Sequence, residues 1–348
     1  MMKYHEQFTE AIEDLHRKSP DKADLALSEE KLKSWISDVS KVILTSLSSQ
    51  SKEMLEERHK HFCSFNKTNE NKWKKAFNKL ETHIVICTEA GESVNNDYRA
   101  DAVEKGDIKF DLLVRHHARA CHIANEILCL LKNGFADAAH ARWRALHEVN
   151  ITSMFIAKHG RECAERFLSH EIIDSYLAMK EHKKYEDRLN EKAPDETVIA
   201  AHRKEYDVAI KKFGKGFETH YGWAAYLFDR PPKTVGFATI EKDVGLDHMR
   251  PYYKWASQNI HAGSKGTRSR LALSECHSDT LIVGPSDSGM ADPAHATAIS
   301  LMQSTITLLN TRPTIDHAIL IDIVITSADE VGDIFFHLMN KHSKTNKK

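Results

Sequence analysis

The segment FDLLVRHHARACHIANEILCLLKNG, residues 110–134, decides the fold class of this 348-residue chain. Its apolar residues recur at the spacing of one helix face, and Asn133-Gly134 is a common helix end. Two further helices are predicted over 135–159 and 161–189, separated by Gly160. Because the junctions are short, consecutive helices are expected to be antiparallel neighbours. The sequence therefore predicts an all-α multi-helix bundle of antiparallel helical hairpins.

Composition favours the same fold class and excludes several kinds of protein. With 14 Gly and 8 Pro, the chain has few helix breakers. Its 49 Lys and Arg balance 50 Asp and Glu, so there is no global field for nucleic acid or membrane and any such binding must be local. No two of the six cysteines form a C-x-x-C pair, which predicts free thiols rather than a zinc knuckle or a disulfide framework. No apolar stretch has the length of a signal peptide or a membrane span, which predicts a cytoplasmic protein that does not enter a membrane.

The chain is predicted to have three parts: a helical extension at 1–105, a helical core at 106–340 and a disordered basic tail at 341–348. In the extension we expect helices over 4–18, from a cap at Ser28 to about 61, and over 73–87. A polar break at 66–71 and a loop-rich segment at 89–105 interrupt it. In the core we expect later helices over 239–246, 247–261, 292–311 and 313–342, a polar basic loop at 264–270, and a short strand as an alternative at 281–283.

Two polar stripes on neighbouring predicted helices are the main candidate site. Each stripe shares one helix face by its spacing: Arg115, Arg119, His122 and Glu126 on the first helix, and His140, Arg144, His147 and Glu148 on the second. The stripes either form solvated outer faces and register-fixing salt bridges, or meet in a partly buried cleft. In a cleft the charges need pairing, for instance Arg144 with Glu126 or Glu148. There Arg would stabilise phosphate charge and His would move protons.

Ribonucleases of the HEPN superfamily carry an Arg followed by four to six residues and then a His, which places both groups on one helix face. Four pairs in this sequence fit: Arg115–His122, Arg142–His147, Arg270–His277 and Arg312–His317. In a chain with 22 His, chance alone accounts for such a number, so the spacing by itself is no evidence.

His261 is a second candidate, at the predicted end of the helix YYKWASQNIH before Gly263. One interpretation is a carboxyl-terminal cap, where the helix dipole favours a cation. The other is that His261 reaches the Arg144 cleft, with Ser264, Lys265 and Arg268 near an anionic ligand. No H-E-x-x-H motif, phosphate loop or dinucleotide signature is present, so no metal and no cofactor is predicted.

Three segments resemble a family of helical bacterial proteins known only as a domain of unknown function. They are an Arg-x-x-x-Glu helix (Arg144 with Glu148), an Ala-x-Arg-Phe helix (Ala164 to Phe167) and a Tyr-x-x-x-Ser-x-x-x-His segment (Tyr253, Ser257 and His261). The resemblance covers roughly residues 110–310. It implies an all-α fold and a bacterial origin but no reaction, and a distant similarity to HEPN nucleases is a separate expectation.

The leading hypothesis is a cytoplasmic bacterial HEPN-like effector that cleaves RNA without a metal, in phage defence or toxicity. Arg144 and Arg115 would stabilise phosphate, His122, His147 or His261 would transfer protons, and Glu148 would orient an arginine. RNA is then the partner, and the protein is expected to be a homo-oligomer. The alternative is a non-catalytic interaction or sensor module that binds a partner protein or a small anionic ligand. A structural or oligomerisation role ranks third.

Overall fold

The computed structural model describes residues 29–268, 270–275 and 281–345, with residues 8, 9, 12, 13 and 17 before them. No strand occurs among these residues, including 281–283, and the all-α prediction is confirmed. Most of the helix predicted over 4–18, together with the cap at Ser28, lies outside the described residues. No helix in the described part is long and apolar enough to cross a membrane.

The described α-helices are α1 (Glu29–Glu104), α2 (Ile108–Lys132), α3 (Ala136–Leu189), α4 (Glu196–Phe213), α5 (Gly222–Ala225), α6 (Phe237–Asp243), α7 (Arg250–Ser257), α8 (Ser264–Arg268), α9 (Ala291–Leu309) and α10 (Ile315–Thr345). Short 3-10 helices lie between several of them. The predicted disordered tail overlaps the end of α10, which is helical as far as Thr345, while residues 346–348 lie outside the described part.

By compactness the chain divides into two units, Met1–Thr68 and Asn69–Lys348. The described part of the first unit is mainly the first section of α1. The second unit contains the rest of α1 and all later helices. The predicted boundary near residue 105 stays a prediction.

Two predicted interruptions of α1 were wrong, since the helix is continuous from Glu29 to Glu104. Polar and small residues in both segments make tertiary contacts instead of breaking the helix. In the predicted break at 66–71, Asn69 is buried and its amide donates to the carbonyl oxygens of Leu131 and Lys132, at 3.1 and 2.9 Å. It thereby satisfies carbonyls at the end of α2 that have no partner within that helix. In the predicted loop, Gly91 lets α2 approach closely, since a Cβ at this position would lie 2.4 Å from the His117 ring.

The central hairpin of α2 and α3 is as predicted. α2 ends at Lys132 with Asn133 as its cap, and the two helices pack against each other. The predicted separation of the helices 135–159 and 161–189 at Gly160 is confirmed as a break inside α3, because Gly160 has the non-helical angles φ +80° and ψ −155° and the two helical sections meet there at a kink. α9 packs against both helices of the hairpin, and α10 packs against α9.

Two hydrophobic clusters form the core of the second unit. The first surrounds Trp73 and Trp143, and the second surrounds Phe155 and Trp223. Trp143 fixes α3 to α9, because its indole N–H lies 2.9 Å from the Ala296 carbonyl oxygen and 3.0 Å from Ser300 Oγ. α3 passes from the first cluster to the second between Trp143 and Phe155, and the polar residues of the candidate site lie on this part of the helix.

Candidate functional site

Arg144, Glu148, Tyr253 and Ser257 form one connected cluster between α3 and α7. Arg144 Nη2 lies 3.0 Å from Glu148 Oε1, and Arg144 Nε donates to Ser257 Oγ at 3.1 Å. The Tyr253 hydroxyl donates to Glu148 Oε1, and the Arg144 guanidinium carbon lies 4.5 Å from the Tyr253 ring centroid. The Arg144 and Glu148 side chains keep 26% and 35% of their surface exposed, so the cluster is half-buried but open to solvent.

Local sequence explains why these four side chains meet. Arg144 and Glu148 are four residues apart on α3, and Tyr253 and Ser257 are four residues apart on α7, so each pair shares a helix face. Pro251 lies in the first turn of α7, where its missing N–H and fixed φ suit a helix start. The face of α3 with Arg144 and Glu148 then packs against the face of α7 with Tyr253 and Ser257. Of the pairings predicted for Arg144, the one with Glu148 is confirmed.

A second group, centred on the buried side chains of His147 and Glu241, adjoins the cluster. Glu241 on α6 accepts a hydrogen bond from His147 Nε2 at 2.9 Å, and its other oxygen lies 3.1 Å from Arg250 Nη1. The exposed fraction is 0% for the His147 side chain and 1% for that of Glu241. His147 thus has no surface with which to contact RNA in this conformation, and the proton-transfer role predicted for it would need the ring to become exposed.

Tyr253 joins the two groups. Its ring centroid lies 5.1 Å from the Arg250 guanidinium carbon as well as 4.5 Å from that of Arg144. Burial raises the pKa of the Tyr253 phenol, and the hydrogen bond to Glu148 raises it further. Tyr253 therefore stays protonated and acts as a hydrogen-bond donor, not as a base. Burial also raises the pKa of Tyr221, whose charge environment includes Glu148, Arg144 and Arg250.

His261 lies just beyond this cluster and is exposed. Its backbone N–H donates to the Ser257 carbonyl at 3.1 Å, so the helical spacing from Tyr253 through Ser257 continues to His261. α8 follows at once and lies close against the end of α7, because a Cβ on Gly266 would be 2.1 Å from the Gln258 carbonyl oxygen. The predicted polar loop at 264–270 is thus partly helical, and it holds Lys265 and Arg268 close to the end of α7.

Arg115 and His122 lie elsewhere. Arg115 Nε donates to Asp111 at 2.8 Å, and His122 lies 3.4 Å from Glu126; the side chains of Arg115 and His122 are both more than two-thirds exposed. Glu126 pairs with Arg142 rather than with Arg144. Among the described residues, no hydrogen bond or ion pair joins Arg115 or His122 to the Arg144 cluster. The structure therefore brings together Arg144, Glu148 and His147, places the backbone of His261 one turn beyond Ser257, and does not add Arg115 or His122.

Two further histidines of the stripes and the Arg–His pairs, His140 and His317, contact neighbouring residues of the fold. Burial lowers the pKa of His140 to about 4, and its ring stacks on Trp143 and meets Trp255 edge-on. His317 Nδ1 donates to the Arg312 carbonyl oxygen at 2.6 Å. His277, of the Arg270–His277 pair, lies outside the described residues. Among residues that the structure describes, no group of three or more His, Cys, Asp or Glu side chains is arranged to hold a metal ion.

The middle of the chain matches a known protein family. Residues 110–279 match the model of a family of unknown function, DUF5677. The match confirms the predicted resemblance, although it ends before residue 310, and it contains all three motif segments. No curated protein and no solved structure matches the chain. DUF5677 has no assigned reaction, so the match adds no chemistry, and the HEPN-like similarity stays a prediction.

Sequence analysis missed Glu241 and Arg250. Glu241 lies in the short helix predicted over 239–246 and is one of 50 acidic residues, and nothing in its spacing marks it as buried. The one signal of burial in the sequence is that Glu241 directly follows Ile240, in a short helix whose apolar residues also include Phe237. Recognising Arg250 required knowing that α6 and α7 pack against α3.

Proposed function

We propose that this chain is a metal-independent ribonuclease whose site combines Arg144 with His261. The observation that supports it most is the placement of an exposed histidine one helical turn beyond Ser257, which itself accepts a hydrogen bond from Arg144. A positioned arginine and an accessible imidazole are the two groups that cleavage of an RNA phosphodiester needs, one for the developing negative charge and one for proton transfer.

The proposed reaction uses the 2′-hydroxyl of the substrate as nucleophile. Its oxygen forms a bond to the adjacent phosphorus, the bond from phosphorus to the 5′-oxygen breaks, and the products end in a 2′,3′-cyclic phosphate and a 5′-hydroxyl. The proton of the 2′-hydroxyl goes to a base, and the departing 5′-oxygen takes one up. His261 is the residue proposed to transfer a proton, Arg144 to stabilise the pentacoordinate phosphorane, and Glu148 to orient Arg144 through their 3.0 Å ion pair.

A local excess of positive charge supports RNA as the substrate. Residues 247–270 contain five Lys and Arg but one acid, Asp247. Four of the five are exposed and have no ion-pair partner within the described part of the chain: Lys254, Lys265, Arg268 and Arg270. Unpaired cations on a surface next to a candidate site attract a polyanion even when the whole chain is neutral.

The test is digestion of total RNA and purified tRNA in the presence of a metal chelator. We expect wild type to cleave, and Arg144→Ala and His261→Ala to lose cleavage while remaining folded by circular dichroism. Arg161→Gln is the matched control, since Arg161 is an exposed arginine paired with Glu165 on the same helix. Cleavage that persists in both site variants, or that requires a divalent cation, contradicts the proposal.

A second candidate function is a non-catalytic interaction or sensor module. The observation that favours it is the pairing of both arginines in the site with glutamates, Arg144 with Glu148 and Arg250 with Glu241. Such a neutral cluster is stable without a ligand and suits a groove that recognises a partner protein or a small anion. A module of this kind produces no RNA product, so substitution of Arg144 or His261 changes partner or ligand binding only.

The cellular setting follows from the same proposal. We propose a cytoplasmic bacterial effector in phage defence or toxicity, which acts as a homo-oligomer. Growth arrest on expression that His261→Ala relieves supports the toxic role. Light scattering of the purified full chain gives the oligomeric state, and a monomer would contradict the oligomer proposal.

A further inference from the structure

The surroundings of Tyr253 contain a feature that the proposed ribonuclease does not use. Two guanidinium groups lie near its ring, with the guanidinium carbon of Arg144 4.5 Å and that of Arg250 5.1 Å from the centroid. Both arginine side chains are 26% exposed. They come from different helices, α3 and α7, so the fold rather than local sequence brings them together.

Each guanidinium is held on one side and open on the other. A guanidinium has five N–H donors in a planar fork. Arg144 uses Nε and Nη2 toward Ser257 and Glu148. Arg250 Nη1 is buried and lies 3.1 Å from Glu241 Oε2, which is an ion-pair contact without a hydrogen bond. Within the described residues, Arg144 Nη1 and the Nε and Nη2 of Arg250 have no hydrogen-bond partner either, so both arginines have donors left for a ligand.

Glu241 fixes the orientation of Arg250. A glutamate with 1% of its side chain exposed is costly to bury unless it is paired. Here it is paired twice, since one oxygen faces Arg250 and the other accepts from His147 Nε2. The contact between His147 Nε2 and Glu241 Oε1 is 2.9 Å long, so His147 limits where the Glu241 carboxyl group can lie. His147 thus holds Glu241, and Glu241 holds Arg250 against Tyr253.

Two oriented guanidinium groups next to one buried aromatic ring match the chemistry of an oxyanion with several oxygens. Arginine forks bind phosphate oxygens in pairs, and an arginine that is already oriented loses less conformational entropy when it binds. The Glu148 carboxylate is shared between two partners, because Oε1 contacts Arg144 Nη2 and also accepts the Tyr253 hydroxyl.

We propose that Arg144 and Arg250 together form a phosphate-binding site, with Glu241 as the positioning residue of Arg250. The inference deepens the proposed function, which uses Arg144 alone, and rests on the same site. The ligand class is a phosphate group, whether in a phosphodiester or in a free phosphorylated compound. Arg250 then shares the phosphate charge with Arg144.

The test measures affinity for inorganic phosphate on the full chain by isothermal titration calorimetry, with chloride at equal ionic strength as the reference. We expect wild type to bind, Arg250→Gln to lose at least tenfold in affinity, and Arg250→Lys, which keeps the charge but not the fork, to lose less. Glu241→Gln is expected to weaken phosphate binding several-fold in protein that is still folded. A purely structural glutamate would lower the melting temperature and leave that affinity unchanged. Arg161→Gln is the matched control and should bind as wild type.

The outcomes separate this inference from the ribonuclease proposal. Absence of phosphate binding by wild type, or wild-type affinity in Arg250→Gln, overturns the two-arginine site even if RNA is cleaved. Phosphate binding that Arg250→Gln weakens, with no RNA cleavage, supports the site and refutes the ribonuclease. If Arg250→Gln does not fold, Arg250→Lys and Glu241→Gln decide, and wild-type affinity in both overturns the inference. RNA dinucleotides and a free sugar phosphate, compared at the same concentration, show which source of phosphate the site prefers.

Discussion

Replacing Glu241 with alanine should destabilise the fold far more than removal of an ordinary surface acid. The substitution deletes the hydrogen bond from His147 Nε2 at 2.9 Å and the contact with Arg250 Nη1 at 3.1 Å. Hydrogen bonds to charged groups contribute about 1.5–3 kcal/mol each. Removing one partner of a buried ion pair costs about 3–5 kcal/mol, because the other charge is left without compensation. We therefore expect the free energy of unfolding to fall by about 3–5 kcal/mol.

The assay is urea unfolding of the full chain, followed by circular dichroism. Glu126→Ala is the matched control, because Glu126 also pairs with an arginine, Arg142, but both side chains are more than one-third exposed. Exposed pairs contribute about 0–1 kcal/mol, so the control should change little. A loss below 1 kcal/mol in Glu241→Ala, or one equal to that of Glu126→Ala, refutes the assignment of Glu241 as the buried link between α3, α6 and α7.

Three further predictions concern the described core. Burial lowers the pKa of four histidines to about 4: His83, His116, His117 and His140. Between pH 6.5 and 4 the unfolded chain therefore binds protons that the folded chain does not, and stability falls as the pH falls. Free energies of unfolding from urea titrations at several pH values should show a slope that His140→Gln reduces by about 1.4 kcal/mol per pH unit, and a slope that His140→Gln leaves unchanged contradicts the neutral buried state. Gly160→Ala should lower stability by about 1–3 kcal/mol in thermal unfolding, because φ is +80° there. Gly284→Ala, which also has open space for a Cβ, should be near neutral, and equal effects argue against backbone strain at the kink. Iodoacetamide labelling, read by mass spectrometry, should modify the exposed cysteines Cys63 and Cys129. It should spare the buried Cys87, Cys121 and Cys163, because burial raises the pKa of their thiols to about 12, 11 and 12, respectively. Rapid labelling of any buried cysteine contradicts its burial.

The fold could be predicted where local signals and packing agree. The α2 helix has an apolar face, an asparagine cap and a following glycine, and each of these pointed to the same boundaries. In α1, by contrast, Asn69 and Gly91 have low helix preference, and sequence alone interpreted them as signs of interruption. Their low preference is outweighed by contacts with α2, through the Asn69 amide and the close approach at Gly91.

The candidate site was predictable only within single helices. Spacing alone placed Arg144 and Glu148 on one face, and their ion pair is present. The grouping of Arg115 and His122 with them was not supported, because a shared face on α2 does not determine which surface of the bundle it meets. Glu241 and Arg250 depend on how three helices pack, and no pattern within one helix reports that.

The chemical nature of the RNA product ends tests the proposed ribonuclease most directly. Wild-type protein is incubated with an RNA oligonucleotide and with its 2′-deoxy counterpart in chelator, and the products are analysed by mass spectrometry. We expect RNA fragments with 2′,3′-cyclic phosphate and 5′-hydroxyl ends, no cleavage of the deoxy oligonucleotide, and no products from His261→Ala or Arg144→Ala. Fragments with 5′-phosphate ends, cleavage of the deoxy oligonucleotide, or intact RNA after incubation with folded wild-type protein would contradict the proposal.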